Sequence, residues 1–116
     1  MTDPECLFCK IVAGDIPADI VYENDSVVAF RDINPQAPTH VLVIPRQHIS
    51  TINNIEPDDA ETAGSLFLAA KEIAAAEGFA EAGYRVVMNC NAAAGQTVFH
   101  IHLHLLGGRE LGWPPG

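Results

Sequence analysis

Short stretches of apolar residues, each bounded by turn-forming residues, recur along the chain and predict strands. Most of them carry β-branched or aromatic side chains, which favour the pleated surface of a sheet. The third stretch starts at His40, has the consecutive apolar residues typical of a buried strand, and ends at Pro45. In all, strands are predicted at residues 20–23, 27–30, 40–44, 84–89 and 98–106.

Two helices complete the predicted secondary structure. A short helix is expected over residues 8–13, because a glycine and then a proline follow it. A long helix is expected from Pro57 to about residue 77, since proline suits the first helical turn and the acidic residues after it suit the positive end of the helix dipole. Its apolar stripe at helical spacing consists of Ala63, Phe67, Ala70 and Ala74, and Gly78 is the expected stop.

The order of these elements favours an α+β domain. The strands lie close together in sequence on either side of the long helix. This arrangement predicts an antiparallel meander of about five strands, with one long and one short helix packed on a face. A chain of 116 residues leaves no room for a second independent core. We therefore expect a single domain over residues 1–116.

Composition and charge exclude several classes of protein. Apolar residues make up 48% of the chain, which is ordinary for a globular domain. No stretch reaches the roughly 18 apolar residues that a membrane span needs, and the acidic N-terminus lacks the pattern of a signal peptide. We therefore expect a cytoplasmic protein with no membrane partner. A formal charge of −9, with 6 Lys and Arg residues, argues against a nucleic-acid partner, although a few N–H groups and imidazoles can still hold one phosphate.

Three of the 5 histidines stand at alternate positions in the last predicted strand. Successive strand residues point to opposite faces, so His100, His102 and His104 share one face, while Ile101 and Leu103 share the other. Neighbouring imidazoles should stand roughly 6–7 Å apart, at about 3.3 Å rise per residue. The pattern predicts either chemistry at phosphorus by rigidly held imidazoles or a catalytic zinc bound by a His-x-His pair. A polar face that merely carries histidines is the third interpretation.

The segment from His100 to His104, with its flanks, matches the signature of a known family. The pattern His-x-His-x-His-x-x with apolar x is that of the histidine triad family, and further segments resemble its Hint branch. The resemblance extends from about Cys6 to the last residue and implies a two-fold homodimer that acts on purine nucleotides. The further segments are Cys6-Leu7-Phe8-Cys9-Lys10-Ile11, Phe30-Arg31-Asp32-Ile33, Pro38-Thr39-His40-Val41-Leu42-Val43-Ile44-Pro45, Gly95-Gln96-Thr97-Val98 and Trp113-Pro114-Pro115-Gly116.

The resemblance assigns the chemistry to the histidines. It implies that His102 attacks the α-phosphorus of a nucleoside monophosphate derivative and that His104 binds the phosphate. His40 would support the imidazoles from the neighbouring strand, and His100 completes the catalytic set. Neutral imidazole suits this attack, because its unperturbed pKa of about 6.5 leaves most of it uncharged at neutral pH.

The resemblance also implies a nucleotide site around the triad. Asp32 would accept hydrogen bonds from both ribose hydroxyls. The Thr97 hydroxyl and the backbone N–H groups near Gly95 and Gln96 would hold the phosphate. Asp32 is equally well explained as a loop cap, and each apolar side chain of the site as part of the core. The remaining implied contacts are Phe8, Ile11, Ile16, Phe30, Ile33 and Asn89, together with Trp113, whose tail would reach toward the site of the partner subunit.

Cys6 and Cys9 form a C-x-x-C pair among 3 cysteines. In a reducing compartment this spacing favours metal binding or redox chemistry over a structural disulfide. A structural zinc normally has four ligands, and the resemblance supplies His48 and His100 as the other two. A redox pair and two cysteines without special function are the alternatives, and Cys90 is interpreted as a packing residue.

Taken with these features, the resemblance implies an enzyme that hydrolyses the P–N bond of purine nucleoside 5′-phosphoramidates through a nucleotidyl-histidine on His102. No metal is required for that chemistry. Three alternatives stay open: a nucleotide-binding adaptor with vestigial catalysis, a dinucleoside polyphosphate hydrolase, and a metallohydrolase that uses the triad as zinc ligands.

Overall fold

The computed structural model describes residues 3–116 and confirms the predicted fold class. It contains an antiparallel sheet with one long and one short α-helix. The short helix begins one residue earlier than predicted, because the Cys6 sulfur accepts the backbone N–H of Cys9 and caps the first turn. The elements are α1 Leu7–Val12, β1 Ile20–Glu23, β2 Val27–Arg31, β3 Thr39–Pro45, α2 Ala60–Glu77, β4 Arg85–Val87 and β5 Leu103–Gly107, with 3₁₀ turns at Ile52–Asn54, Pro57–Asp59 and Ala92–Ala94.

The strands are arranged in the order β1-β2-β3-β5-β4, and every neighbouring pair is antiparallel. This order departs from a simple meander at its last step, where β5 inserts between β3 and β4. The long helix explains the departure, because its 18 residues extend about 27 Å and carry the chain across the sheet. As a result, β4 lies at an edge and β5 lies inside the sheet.

The two helices cover opposite faces of the sheet, which corrects the prediction that they share one. Leu66 and Ile73 of α2 pack with Leu103 and other strand residues in one buried cluster. Phe8 of α1 packs in a second cluster, with Phe30 and other residues whose side chains alternate with those of the first. Because β-strand side chains alternate between faces, each strand contributes to both clusters. The face covered by α1 is the one that carries the histidines.

The long helix presents a different stripe to the core from the predicted one. Ala70 and Ala74 are buried as predicted, together with Leu66, but Phe67 keeps 53% of its surface exposed. Each residue turns the helix by about 100°, so the burial of Leu66 directs Phe67 away from the sheet. Within residues 3–116, no helix is long and apolar enough to cross a membrane.

The last strand is shorter than predicted. Regular pairing begins at Leu103, opposite Val43, whereas residues 98–102 form no strand. Pro45 explains part of this difference, because it ends β3 and has no N–H with which to pair a neighbouring chain. Its carbonyl accepts a hydrogen bond from the ring of His100 instead, at 2.8 Å. The prediction of a strand over residues 98–106 is therefore wrong for its first half.

Candidate active site

His102 is held in one tautomer by the chain just before it. Its Nδ1 lies 2.7 Å from the carbonyl oxygen of His100, which can only accept, so Nδ1 carries the proton. The lone pair is then on Nε2, the nitrogen turned away from the backbone. Phe8 packs edge-on against the ring, with 5.1 Å between centroids. Burial lowers the pKa of His102, so the ring is neutral at neutral pH, as a nitrogen nucleophile must be.

His104 stands beside His102, with 5.0 Å between ring centroids, which is closer than the ideal strand spacing predicts. Its Nδ1 lies 2.9 Å from Nε2 of His40, which projects from β3. Burial, together with the neighbouring His102 and His40, lowers the pKa of His104 to about 4. Burial also lowers the pKa of His40, against the opposing effect of the Asp32 carboxylate. Both rings are therefore neutral at neutral pH and joined by one hydrogen bond.

Asp32 lies at the end of β2, beside this histidine pair. Its Oδ2 is 3.5 Å from Nε2 of His40, and its Oδ1 accepts the backbone N–H of Asn34 at 2.8 Å. The carboxylate therefore caps the loop and also borders the imidazoles. The two interpretations of Asp32 from the sequence are compatible in this geometry.

The loop before the triad is organised from inside by the buried side chain of Gln96. Its Nε2 donates to the carbonyls of Ser50 and Val98, at 2.9 and 3.1 Å. Its Oε1 accepts the backbone N–H of Asn91 at 2.7 Å. One amide thus joins both ends of the loop to a neighbouring segment, and it holds the chain that leads into His100.

The backbone N–H groups of Gly95 and Gln96 differ from their predicted use as phosphate donors. They donate instead to the carbonyls of Ala92 and Asn91, at 3.0 and 3.1 Å, within the turn itself. The 3₁₀ geometry closes Gly95 onto Ala92, and the left-handed conformation of Gly95, with φ of 87°, then returns the N–H of Gln96 to the Asn91 carbonyl. Thr97 is exposed just beyond the turn, so its hydroxyl is open to a ligand.

Most of the apolar side chains predicted around the base belong to the core. Phe8, Ile11 and Phe30 are almost completely buried, and the Phe8 and Phe30 rings pack edge to face with 5.4 Å between centroids. Ile16 is half-buried at the margin of the same cluster, whereas Ile33 is fully exposed. Ile16 and Ile33 are therefore the members of this set that have surface to offer a ligand.

The structure places Asn89 and Trp113 differently with respect to the triad. Val87 pairs with His104, so the antiparallel chain continuing from β4 carries Asn89 toward His102. Trp113 keeps 82% of its surface exposed and packs in neither core cluster. The tail is attached through its backbone, where Arg85 donates to the Gly112 carbonyl at 2.7 Å.

Cys6, Cys9, His48 and His100 converge on one point. Their Sγ and Nδ1 atoms are separated by 3.3–3.5 Å in the four pairs that make contact. A tetrahedral zinc with bonds of about 2.0–2.3 Å separates its ligand atoms by about 3.3–3.8 Å. The cluster therefore has the ligand types and the spacing of a structural zinc site.

His100 turns a lone pair toward this cluster. Its Nε2 donates to the Pro45 carbonyl, so Nδ1 is the unprotonated nitrogen that faces the sulfur atoms. Burial lowers the pKa of His100 to about 4, against the effect of the bond to Pro45, and keeps the ring neutral. Burial also raises the pKa of the Cys9 thiol. The donor set is thus arranged for a cation that displaces the thiol protons.

The three triad imidazoles do not share one site. His100 faces the cysteines and His104 faces His40. Within residues 3–116, His102 belongs to no group of side chains close enough together to hold a metal. This arrangement argues against a catalytic metal bound by all three histidines.

Two groups that shape the site were missed in the sequence. The Pro45 carbonyl orients His100, and the Gln96 amide holds the loop. A backbone carbonyl carries no signal of its own in a sequence. Gln96 lies in a segment that resembles the histidine triad family, but nothing in its position indicated that its side chain is buried and bonds the loop backbone.

Both the sequence and the structure match known proteins over nearly their full length. The sequence model of the HIT domain matches residues 13–111. The chain is 53% identical over 108 residues to the purine nucleoside phosphoramidase of Escherichia coli K12, covering 93% of this chain and 91% of that protein. It is 54% identical over 112 residues to an uncharacterized HIT-like protein of Synechococcus elongatus, covering 97% of each.

A solved structure agrees equally well. The crystal structure of a HIT family hydrolase from Legionella pneumophila Philadelphia 1 superposes with a TM-score of 0.95 at 57% identity, over 97% of this chain and 100% of that one. The resemblance inferred from the histidine run and its flanking segments is thereby confirmed. The chain belongs to the HIT domain family and is a hydrolase.

Proposed function

We propose that this enzyme hydrolyses purine nucleoside 5′-phosphoramidates in two displacements at phosphorus. Nε2 of His102 attacks the α-phosphorus, a nucleotidyl-histidine forms, and the bond from phosphorus to the substrate amine breaks. The departing amine takes up a proton from solvent. Water then attacks the same phosphorus, releases the nucleoside monophosphate, returns a proton to solvent and restores neutral His102.

The observation that carries this proposal is the hydrogen bond from His102 Nδ1 to the His100 carbonyl, at 2.7 Å. It leaves an unprotonated Nε2 on a neutral ring, which is what attack on phosphorus requires. The substrate class is supported by the relative from Escherichia coli, which is a purine nucleoside phosphoramidase.

The groups around His102 suit the parts of a nucleotide. His104 and the Thr97 hydroxyl would hold the phosphate, with the Asn89 amide as a further contact. The Asp32 carboxylate would accept the ribose hydroxyls, because it keeps an oxygen on the histidine side of its loop. The base would contact Ile16 and Ile33, the members of the predicted apolar set that keep exposed surface.

The test is a turnover assay with adenosine 5′-phosphoramidate and its guanosine counterpart, with a dinucleoside polyphosphate as the alternative substrate. We expect release of the monophosphate from the phosphoramidates at a kcat/KM well above that for the dinucleotide. Faster cleavage of the dinucleotide would contradict the proposed substrate class. Tight nucleotide binding without turnover of any substrate would instead support an adaptor.

We further propose that Cys6, Cys9, His48 and His100 bind one structural zinc per chain. The contacts of 3.3–3.5 Å among their ligand atoms support this assignment. The zinc would join the N-terminal segment, the loop after β3 and the triad, and it would take no part in the chemistry. We propose the cytoplasm as the compartment, because cysteines that bind a metal must stay reduced.

We also propose a two-fold homodimer, in which the tail of each chain reaches toward the site of its partner. The support comes from surfaces that one chain leaves uncovered. Trp113 is 82% exposed, and Phe67 and Leu68 of α2 are 53% and 64% exposed. Each of these is a large apolar side chain left in water, which favours a surface that binds a partner.

Deleting residues 113–116 should change the choice of leaving amine more than nucleotide affinity. The proposed nucleotide contacts lie within one chain, whereas the amine points away from them, toward the partner's tail. Loss of the Trp113 ring should weaken the binding of a bulky amine by roughly 1–3 kcal/mol. This corresponds to roughly a 5- to 150-fold change in preference between bulky and small amines. The measurement is kcat/KM over a series of amines for the full-length and shortened chains.

Trp113→Ala is the matched variant, because it removes the ring and keeps the length of the tail. Sedimentation should show both variants to be dimers. A uniform fall in kcat/KM across all amines would mean that the tail serves the fold or the dimer and not the substrate.

A further inference from the structure

A backbone group in the loop at residues 34–38 determines where His40 carries its proton. The Gln36 backbone N–H points at Nδ1 of His40, with 3.0 Å between the nitrogens. An amide N–H can only donate, so Nδ1 must accept and carries no proton. Because burial lowers its pKa, His40 is neutral near neutral pH and keeps its single proton on Nε2.

His40 in turn fixes the proton of His104. The Nε2–H of His40 faces Nδ1 of His104 at 2.9 Å and lies farther from the Asp32 carboxylate, at 3.5 Å. Nδ1 of His104 therefore accepts, and this neutral ring carries its own proton on Nε2. His104 thus presents an N–H donor at its outer nitrogen, whereas the adjacent His102 presents a lone pair.

Arg109 holds the loop that supplies the N–H. Its Nε donates to the Gln36 carbonyl at 3.1 Å, and its Nη1 donates to the carbonyl of Glu110 at 3.0 Å. Gly108, just before Arg109, lies in close contact with the loop at residues 34–38. A Cβ added at Gly108 would be 2.9 Å from Cβ of Pro38. Gly108 also has a φ of +91°, a backbone conformation that residues other than glycine rarely adopt. Gly108 and Arg109, which follow β5, therefore hold the loop at residues 34–38 in place beside His40 and His104.

We propose that Gln36 and Arg109 form a positioning pair that sets the tautomer of His104. This inference rests on the proposed function and gives it a direction: His104 donates its Nε2–H to a phosphoryl oxygen. With the opposite tautomer, the lone pairs of His102 and His104 would both face the anionic phosphate and repel it. Gln36 and Arg109 act through His40, so they position the group that contacts the substrate.

The direct test replaces the Gln36 peptide N–H with an ester oxygen in the full-length chain. The side chain is kept, and the donor to His40 Nδ1 is lost. Nitrogen-15 NMR without ligand should show wild-type His104 protonated on Nε2 and unprotonated on Nδ1. In the ester chain, the signals of His40 and His104 should move toward a mixture of tautomers. The kcat/KM for the phosphoramidate should fall roughly five- to tenfold, in part through a higher KM, because the repelling tautomer binds the phosphate less well.

Arg109→Gln tests the hydrogen bond from Arg109 to the loop at residues 34–38, and Arg46→Gln is its matched control. Arg46 also donates its Nε to a backbone carbonyl, that of Asn24 at 2.8 Å, but in the turn between β1 and β2. Arg109→Gln should shift the same histidine signals and lower kcat/KM by about threefold. Arg109→Lys should recover part of both effects, because it keeps a donor. Arg46→Gln should leave the signals and kcat/KM unchanged.

Several results would overturn the proposal. Wild-type His104 protonated on Nδ1, or an ester chain with unchanged nitrogen signals, would show that Gln36 does not set the tautomer. Equal effects of Arg109→Gln and Arg46→Gln would overturn the role of Arg109. The NMR measurement needs no substrate, so a chain with the expected tautomer that cleaves no phosphoramidate would contradict the proposed function and leave the positioning pair in place.

Discussion

Replacing His102 with alanine is expected to abolish turnover while nucleotide affinity stays within about tenfold, or 1.4 kcal/mol, of the wild type. The fall in kcat should be at least about 10³-fold, because no other imidazole has its lone pair in the same place. His100 faces the cysteines, and the Nδ1 lone pair of His104 is directed at His40. Affinity should persist because Asp32 and Thr97 are untouched. The measurements are kcat for adenosine 5′-phosphoramidate and calorimetric titration with AMP.

Rapid quench with labelled substrate provides the positive control for this variant. It should trap nucleotide on His102 of the wild type and none on His102→Ala. The melting temperatures of the two proteins show whether the fold is retained. If the folded variant keeps more than a few per cent of the wild-type turnover, the assignment of the nucleophile is wrong.

The double substitution Cys6→Ser with Cys9→Ser is expected to remove about one zinc per chain and to lower the melting temperature. The proposed zinc would tie α1 to the loop after β3 and to His100, so its loss should free three segments of a small domain. A loss of even 1 kcal/mol lowers the melting temperature of a domain of this size by about 4 °C or more. Turnover should fall much less than in His102→Ala. Metal content and thermal unfolding are the measurements.

Cys90→Ser is the matched control, because Cys90 lies outside the cluster. It should keep the zinc and the wild-type melting temperature. Chelation of the wild type should reproduce the stability of the double variant. Wild-type protein that binds no zinc and melts at the same temperature with and without chelator would contradict the structural zinc.

The predicted bounds agree best with the structure for elements whose ends are set by residues close in sequence. β1 was predicted at its observed bounds, and the long helix ends at Glu77, just before a glycine with φ of +88°. Local chemistry decides such ends, because caps and turns involve residues close in sequence. Phe67 is different, because two adjacent helical positions are equally apolar and packing against the sheet selects Leu66.

The separation of the histidines could not be read from their alternation. An ideal strand predicts three equivalent imidazoles, but pairing ends at Leu103, and His100 and His102 lie in an irregular segment. Their different environments come from distant parts of the chain. Cys9 and Pro45 fix His100, whereas the β3 residue His40 engages His104.

The family, the α+β class, the histidine run and the cysteine pair could all be predicted from the amino-acid sequence. These depend on residue identity and spacing, which hydrophobic periodicity and motif matching report directly. Contacts in the folded chain place the helices on opposite faces, insert β5 between β3 and β4, and select the protonated nitrogen of His40 and of each triad imidazole. The reason is that a tautomer is set by the one donor or acceptor that reaches each ring. For His40 that partner is the backbone N–H of Gln36, which has no counterpart in the pattern of side chains.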